Sequence, residues 1–76
     1  MNTTEQAELS AQITKRIGDE INLSHKSKTE IAEALGISKS TVSQYLSGRS
    51  LPSLATLAKL CAVLDCSADD ILIGRK

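Results

Sequence analysis

KTEIAEALGISKSTVSQYLS, residues 28–47, is the most informative part of this chain. Ser27 precedes it and can cap a first helix, and Glu30 completes a capping box with that serine. Gly36 can take the left-handed backbone conformation that ends a helix, and Ser38 can cap a second helix. The stretch therefore predicts two short helices joined by a tight turn.

The apolar side chains of this stretch recur every three or four residues, which places them on one face of each helix. A small residue at Ala32 allows the two helices to cross closely. The predicted helices, about 28–35 and 39–47, together describe a helix-turn-helix unit. Its predicted core consists of Ile31, Ala32, Leu35, Gly36, Ile37, Val42 and Tyr45.

The outward face of the second helix is polar and carries no acidic residue. Its members are Lys39, Ser40, Thr41, Ser43, Gln44 and Ser47. Donors and acceptors without negative charge suit the base edges of DNA and the phosphates beside them. The alternative is a solvated helix that happens to be rich in serine. Because Ser and Thr are mediocre helix formers, that alternative leaves the composition unexplained, and we expect a DNA-binding helix.

Length and composition favour a small binding module. Seventy-six residues make one domain, which is too short for a large enzyme pocket. Hydrophobic residues make up 41%, with a single aromatic side chain, Tyr45, so we expect an aliphatic, helical core. The sequence has no apolar run of membrane-spanning length and begins with a polar segment rather than a signal peptide. We therefore expect a cytoplasmic protein.

The formal net charge is zero, which counts against a nucleic-acid binder until its distribution is considered. Residues 26–49 hold four basic residues (Lys26, Lys28, Lys39 and Arg49) and only two acidic ones. Either the molecule is polarised, with one positive face, or the split is chance in a small sample. A weak overall charge implies modest non-specific affinity, so tight binding needs two copies on one DNA site.

The two cysteines and the single histidine do not suggest a metal site. Cys61 and Cys66 lie five residues apart, and His25 is distant from both in the sequence. A structural zinc site needs about four ligands, so we expect thiols packed as small hydrophobes. The chain also lacks a Ser-His-Asp set and a glycine-rich phosphate loop. We expect no enzyme activity, no cofactor and no metal.

Three further helices are predicted around the motif. Leu9, Ile13 and Ile17 repeat every four residues and indicate a first helix. Pro52 and Ser53 mark the start of a fourth helix, which carries a broad apolar face. A capping box at 67–70 precedes a short fifth helix. The predicted fold is all-α, with five helices and no strands.

This five-helix order resembles the Cro/C1-type (XRE) helix-turn-helix family of phage repressors and related bacterial regulators. The resemblance covers about residues 13–72 and rests on SKTEIAEALGISKSTVSQYLSGRSLPS (27–53) and LAKLCAVLDCSADDIL (57–72). It implies a compact lambda-repressor-like domain spanning the whole chain. Residues 28–47 would be its helix-turn-helix, and residues 1–12 would extend helix one beyond the minimal domain.

The resemblance also implies roles for individual residues. The positions expected to touch base edges are Lys39, Ser40, Ser43 and Gln44. The positions expected to contact phosphates are Lys28, Thr29, Thr41, Ser47, Arg49 and Ser50. Lys28 departs from the glutamine that the family often carries there, which exchanges an oriented amide for a point charge. Tyr45 matches a core position of the family.

The expected function is sequence-specific binding of double-stranded DNA by a homodimer. Each copy would place its third helix in the major groove of one half of a palindromic operator, with half-sites about 34 Å apart. Occupancy of a promoter favours repression over activation, in the bacterial nucleoid or in the cytoplasm of a phage-infected host. The expected dimer contact is the apolar run Ile71, Leu72 and Ile73, unless Ile71 and Leu72 belong to the core.

Two alternatives stay open. The domain could be an antitoxin or an interaction module that binds chiefly a protein partner and DNA only secondarily. It could also be the N-terminal domain of a longer repressor. No membrane contact and no small-molecule ligand is expected.

Overall fold

The structure is a computed structural model that describes residues 3–74, and over that range it contains five α-helices and no strand. The expected all-α fold is confirmed, and both motif helices have the predicted bounds. Residues 1 and 2 of the expected N-terminal extension lie outside the described range. The helices are α1 (Thr3–Ser24), α2 (Lys28–Leu35), α3 (Lys39–Ser47), α4 (Leu54–Leu64) and α5 (Ala68–Leu72).

Serine begins every helix from α2 to α5. Each serine hydroxyl accepts a hydrogen bond from the backbone N–H three residues later, and α2 and α5 have complete capping boxes. A cap of this kind stabilises a protein by about 1 kcal/mol. The caps explain why such short helices begin at defined residues. The four capping residues are Ser27, Ser38, Ser53 and Ser67.

The hydrophobic core lies where all five helices meet. Each helix contributes one fully buried side chain, and burying such a side chain is worth about 1.5–3 kcal/mol. These five are Ile17, Ile31, Val42, Leu60 and Ile71. The core is aliphatic, as the composition predicts.

The burial of Ile71 corrects the expected dimer contact. Its side chain is 0% exposed, so it cannot touch a second chain unless the core opens. Leu72 and Ile73, by contrast, are 38% and 58% exposed. Ile71 is core because the capping box at Ser67 turns α5 so that this side chain points toward α1 and α4. An apolar run in the sequence does not show which of its members face inward.

α1 is longer than the core it covers. Its second half packs through Ile17 and Ile21, whereas residues 3–9 are exposed and Leu9 is 41% exposed. The predicted apolar stripe of α1 therefore extends beyond the part of the helix that packs against the core. Arg16 joins α1 to the end of α5, where its Nη1 donates to the carbonyl of Leu72 at 3.1 Å. Among the described residues, no helix has the length and apolar character needed to cross a membrane.

Candidate nucleic-acid interface

The turn between α2 and α3 determines how α3 is presented. Gly36 adopts a left-handed conformation, with φ at 70°. The N–H of Ile37 donates to the carbonyl of Ala32 at 3.0 Å, which closes the end of α2. Ile37 is half-buried and packs against the core. Because Gly36 itself lies at the surface, its part in the predicted motif core is a backbone role rather than a packing role.

α3 has one buried face and one accessible face. Val42 and Tyr45 point into the protein, at 0% and 8% exposure. Together with Ile31, Ala32 and Leu35 they make five of the seven predicted motif core residues buried. Of the four predicted base-contacting residues, three are exposed and one, Ser43, is half-buried: Lys39, Ser40, Ser43 and Gln44. The structure therefore leaves this strip of α3 open to a ligand.

Thr41, a predicted phosphate contact in the first turn of α3, interacts with Ser38 of the same cap. The Ser38 hydroxyl accepts from the backbone N–H of Thr41 at 3.1 Å, and the two hydroxyl oxygens lie 2.8 Å apart. The Thr41 side chain is half-buried there. Thr41 is thus part of the cap. A phosphate contact from Thr41 would use the remaining hydrogen-bonding capacity of its hydroxyl.

Two side-chain hydrogen bonds orient groups on the accessible strip. Lys28, the first residue of α2, reaches across and donates from Nζ to Ser43 Oγ at 3.3 Å. Ser50 donates from its hydroxyl to Gln44 Oε1 at 3.4 Å. Lys28 and Ser43 are 15 residues apart. Sequence reasoning placed both residues at the interface but had no signal for a contact between them.

The end of α3 folds back over its own last turn. Gly48 is left-handed, with φ at 81°. The Gln44 carbonyl accepts from the backbone N–H of Arg49 at 3.0 Å and from the Ser47 hydroxyl at 3.2 Å. A Cβ at position 48 would lie 3.4 Å from the Thr14 side chain, so α1 approaches closely here. This closure keeps three predicted phosphate contacts, Ser47, Arg49 and Ser50, beside the accessible strip.

The charges around the strip favour an anionic ligand. Lys28, Lys39 and Arg49 are exposed cations, and Thr29 is exposed in the first turn of α2. Of the two acidic residues of α2, Glu33 is exposed and Glu30 turns back toward the cap of the helix. The backbone N–H of Ser27 donates to Glu30 Oε1 at 3.0 Å and, with the Ser27 hydroxyl and the Lys26 charge, lowers the pKa of this carboxyl below 4.5.

A second group of polar side chains was not predicted. Glu20, Cys66 and Asp70 place potential metal-ligand atoms within 4.8 Å of one another. Burial, followed by the neighbouring Cys61 thiol, raises the pKa of Cys66 to about 12. The thiol is therefore protonated at neutral pH. Both cysteines are free, with Cys61 buried.

Comparisons with known proteins agree with the geometry. A family model described as helix-turn-helix matches residues 19–71, which include the end of α1, all of α2, α3 and α4, and α5 except its last residue. The transcriptional repressor RstR of the cryptic phage CTXphi from Vibrio cholerae is 31% identical over 64 residues, which are 84% of this chain. The chain spans about half the length of that relative, 56%. No solved structure matches the chain significantly.

Proposed function

The chain belongs to the helix-turn-helix family of DNA-binding regulators, and from that premise we propose that it is a dimeric repressor of a palindromic operator. The observation that carries the proposal is the accessible strip of α3. It presents Lys39, Ser40, Ser43 and Gln44 without a carboxylate, beside three exposed cations. A helix of this width and chemistry fits the major groove of B-DNA.

The roles proposed for the strip follow from its donors and acceptors. Lys39 donates to the O6 and N7 atoms of guanine, and Gln44 pairs through both amide atoms with adenine. The hydrogen bond from Ser50 supports the second role, because it orients the Gln44 amide before DNA arrives. Lys28, Arg49 and the polar groups near the two helix starts hold phosphates, which fixes the orientation of the domain on the duplex.

Repression by occupancy fits this small domain. The relative RstR is named a transcriptional repressor, and a protein bound at a promoter excludes polymerase by its volume alone. A formal charge of zero limits what one copy gains from phosphates. Two copies on one operator overcome that limit. The exposed Leu72 and Ile73 at the end of α5 are the proposed contact between them.

The proposal is tested by selection from a library of random duplexes, followed by sequencing of the bound fraction. We expect one enriched motif, an inverted repeat whose half-sites are centred about 34 Å apart. Substituting Lys39→Ala or Gln44→Ala should cost about 1–3 kcal/mol of binding free energy and relax preference at one base position per half-site. Lys15→Ala is the matched control. It also removes the charge of an exposed lysine, but this lysine lies on α1, in a groove with Asp70 and Gly74, rather than on α3.

The outcomes separate the parts of the proposal. No enriched motif would refute sequence-specific binding. A single unrepeated half-site, bound by one chain in sedimentation, would refute the dimer and leave the base contacts standing. An equal effect of Lys15→Ala and Lys39→Ala would show that charge alone, rather than the strip, governs binding.

A further inference from the structure

The contact between Lys28 and Ser43 determines which of the two side chains donates a hydrogen bond at the accessible strip of α3. An ammonium group has three donors and no acceptor. In the 3.3 Å contact between Lys28 Nζ and Ser43 Oγ, the serine oxygen must therefore accept. Among residues 3–74, the Ser43 hydroxyl has no other hydrogen-bond partner. Its own O–H hydrogen stays available to donate outward.

The charge of Lys28 reinforces this direction. A serine hydroxyl alone can either donate or accept, so by itself it discriminates poorly between base edges. A cation held against its oxygen repels the partly positive hydrogen of an approaching donor group. In the major groove, guanine, adenine and thymine present acceptors, whereas cytosine presents only the N4 amino donor. The oriented hydroxyl therefore favours three bases over the fourth.

We infer that Lys28 is a positioning residue for specificity: its charge and its hydrogen bond favour donation by the Ser43 hydroxyl, and so favour an acceptor base over cytosine at the position that Ser43 faces. This inference rests on the proposed function and adds to the phosphate role proposed for Lys28. A phosphate contact from this residue would affect every sequence alike. A contact that acts through Ser43 affects one base position.

The test compares the duplexes selected by the wild-type chain with those selected by four variants at the same salt concentration. Ser43→Ala identifies the base position that Ser43 reads, because preference is lost there. We expect Lys28→Met to lose preference at that same position. In titrations with matched duplexes, discrimination between the acceptor base and cytosine should fall from about tenfold to about twofold. Lys28→Arg, which keeps a charged donor, should restore it.

Lys26→Met is the matched control, since it removes an exposed lysine two residues earlier that does not contact Ser43. We expect it to leave the discrimination at about tenfold. Thermal melting of each variant by circular dichroism checks that the chain is folded. Because Lys28 is exposed, the melting temperatures of the two Lys28 variants should match that of the wild type.

Two results overturn the inference. One is a Lys28→Met motif identical to the wild-type motif with all affinities reduced by one common factor. The other is a Ser43→Ala variant that loses preference nowhere. The wild-type selection judges the proposed function separately: a clear wild-type motif with either of these results refutes the inference alone, whereas no wild-type motif refutes both.

Discussion

The molecule contains the same helix–turn–helix design twice, once in α2–α3 and once in α4–α5. The junctions read LGIS at 35–38 and LDCS at 64–67. In both, the first residue is buried, the second is left-handed (φ 70° and 56°), the third is half-buried and the fourth caps the next helix. Four residues after each capping serine comes a side chain with 0% exposure, Val42 or Ile71.

The hydrogen bonds of the two junctions also agree. The N–H of the half-buried third residue donates to a carbonyl five residues earlier at 3.0 Å in both, from Ile37 to Ala32 and from Cys66 to Cys61. This bond pattern brings the paired side chains together at the end of a helix. The contact of the two cysteines is therefore explained as packing.

The two pairs differ in what their second helices present outward. α3 has nine residues and no acidic group, whereas α5 has five residues and carries Asp69 and Asp70 in its first turn. α5 is also tied to α1 through Arg16. The same local sequence pattern therefore forms both junctions, and the outward side chains distinguish α3, the helix proposed to face DNA, from α5. Four measurements test this difference between the two helix pairs.

The largest expected effect comes from the equivalent core positions. Ile71→Ala should destabilise the fold by about 2–5 kcal/mol and Val42→Ala by about 1–3 kcal/mol, because each opens a cavity among five helices. Urea unfolding followed by circular dichroism measures both. A cost for Ile71→Ala no larger than that of a surface substitution would show that α5 is not part of the core.

The next prediction concerns an exchange of side chains between α3 and α5. Ser40 and Asp69 occupy equivalent positions, two residues after the capping serines. Ser40→Asp should weaken DNA binding by on the order of 2 kcal/mol or more, because a carboxylate would face the phosphates. The fold should be unchanged or stabilised by about 0.3–1 kcal/mol, since an acid suits a helix N-terminus.

Binding titrations and thermal melts together measure this exchange, and Asp69→Ser is the reciprocal control. That variant should leave DNA affinity near the wild-type value. If Ser40→Asp bound DNA as tightly as the wild type, α3 would not be the DNA-facing helix.

A smaller effect, with opposite signs, is expected at the left-handed residues of the two junctions, Gly36 and Asp65. Gly36→Ala should cost about 1–2 kcal/mol from backbone strain alone, because no atom of the described residues, other than those of its two chain neighbours, lies within 4 Å of the added Cβ. Asp65→Gly should be neutral or stabilising by up to about 1 kcal/mol, since glycine relieves the same strain. Urea unfolding decides; destabilisation by both substitutions would mean that the Asp65 side chain itself supports the corner.

The smallest effect is a pH dependence at the cap of α2. The pKa of Glu30 is lowered in the folded protein, chiefly by the backbone N–H of Ser27. Its contribution to stability is therefore present above the unfolded value and is lost as the pH falls through the folded value, below 4.5. Glu30→Gln should lower the melting temperature slightly at neutral pH and not in acid. An equal difference in melting temperature between the wild type and Glu30→Gln in acid would exclude the carboxylate charge as the cause.

The parts of the fold that the sequence predicted are those with local causes. The bounds of α2 and α3 followed from a capping serine and a left-handed glycine, and each acts on backbone groups within five residues. The polar composition of the accessible strip of α3 could also be predicted, because helical periodicity separates its residues from Val42 and Tyr45.

The features that the sequence left open depend on distant neighbours. Leu9 continues the apolar stripe of α1, yet no other helix of residues 3–74 covers it and its side chain is 41% exposed. Ile71 was considered for a dimer contact and instead completes the core. The cluster of Glu20 with Cys66 and Asp70 had no sequence signal, because it joins α1 to the other end of the chain.

The amino-acid sequence alone determined the helices, their caps, the corner between α2 and α3 and the polar character of α3, because the responsible interactions close within one or two helical turns. The packing of the helices against one another determines which apolar residues are covered and brings Lys28 to Ser43 across the junction. Burial and contacts between helices depend on how separate elements pack, and the spacing of residues along one helix carries no information about its partner.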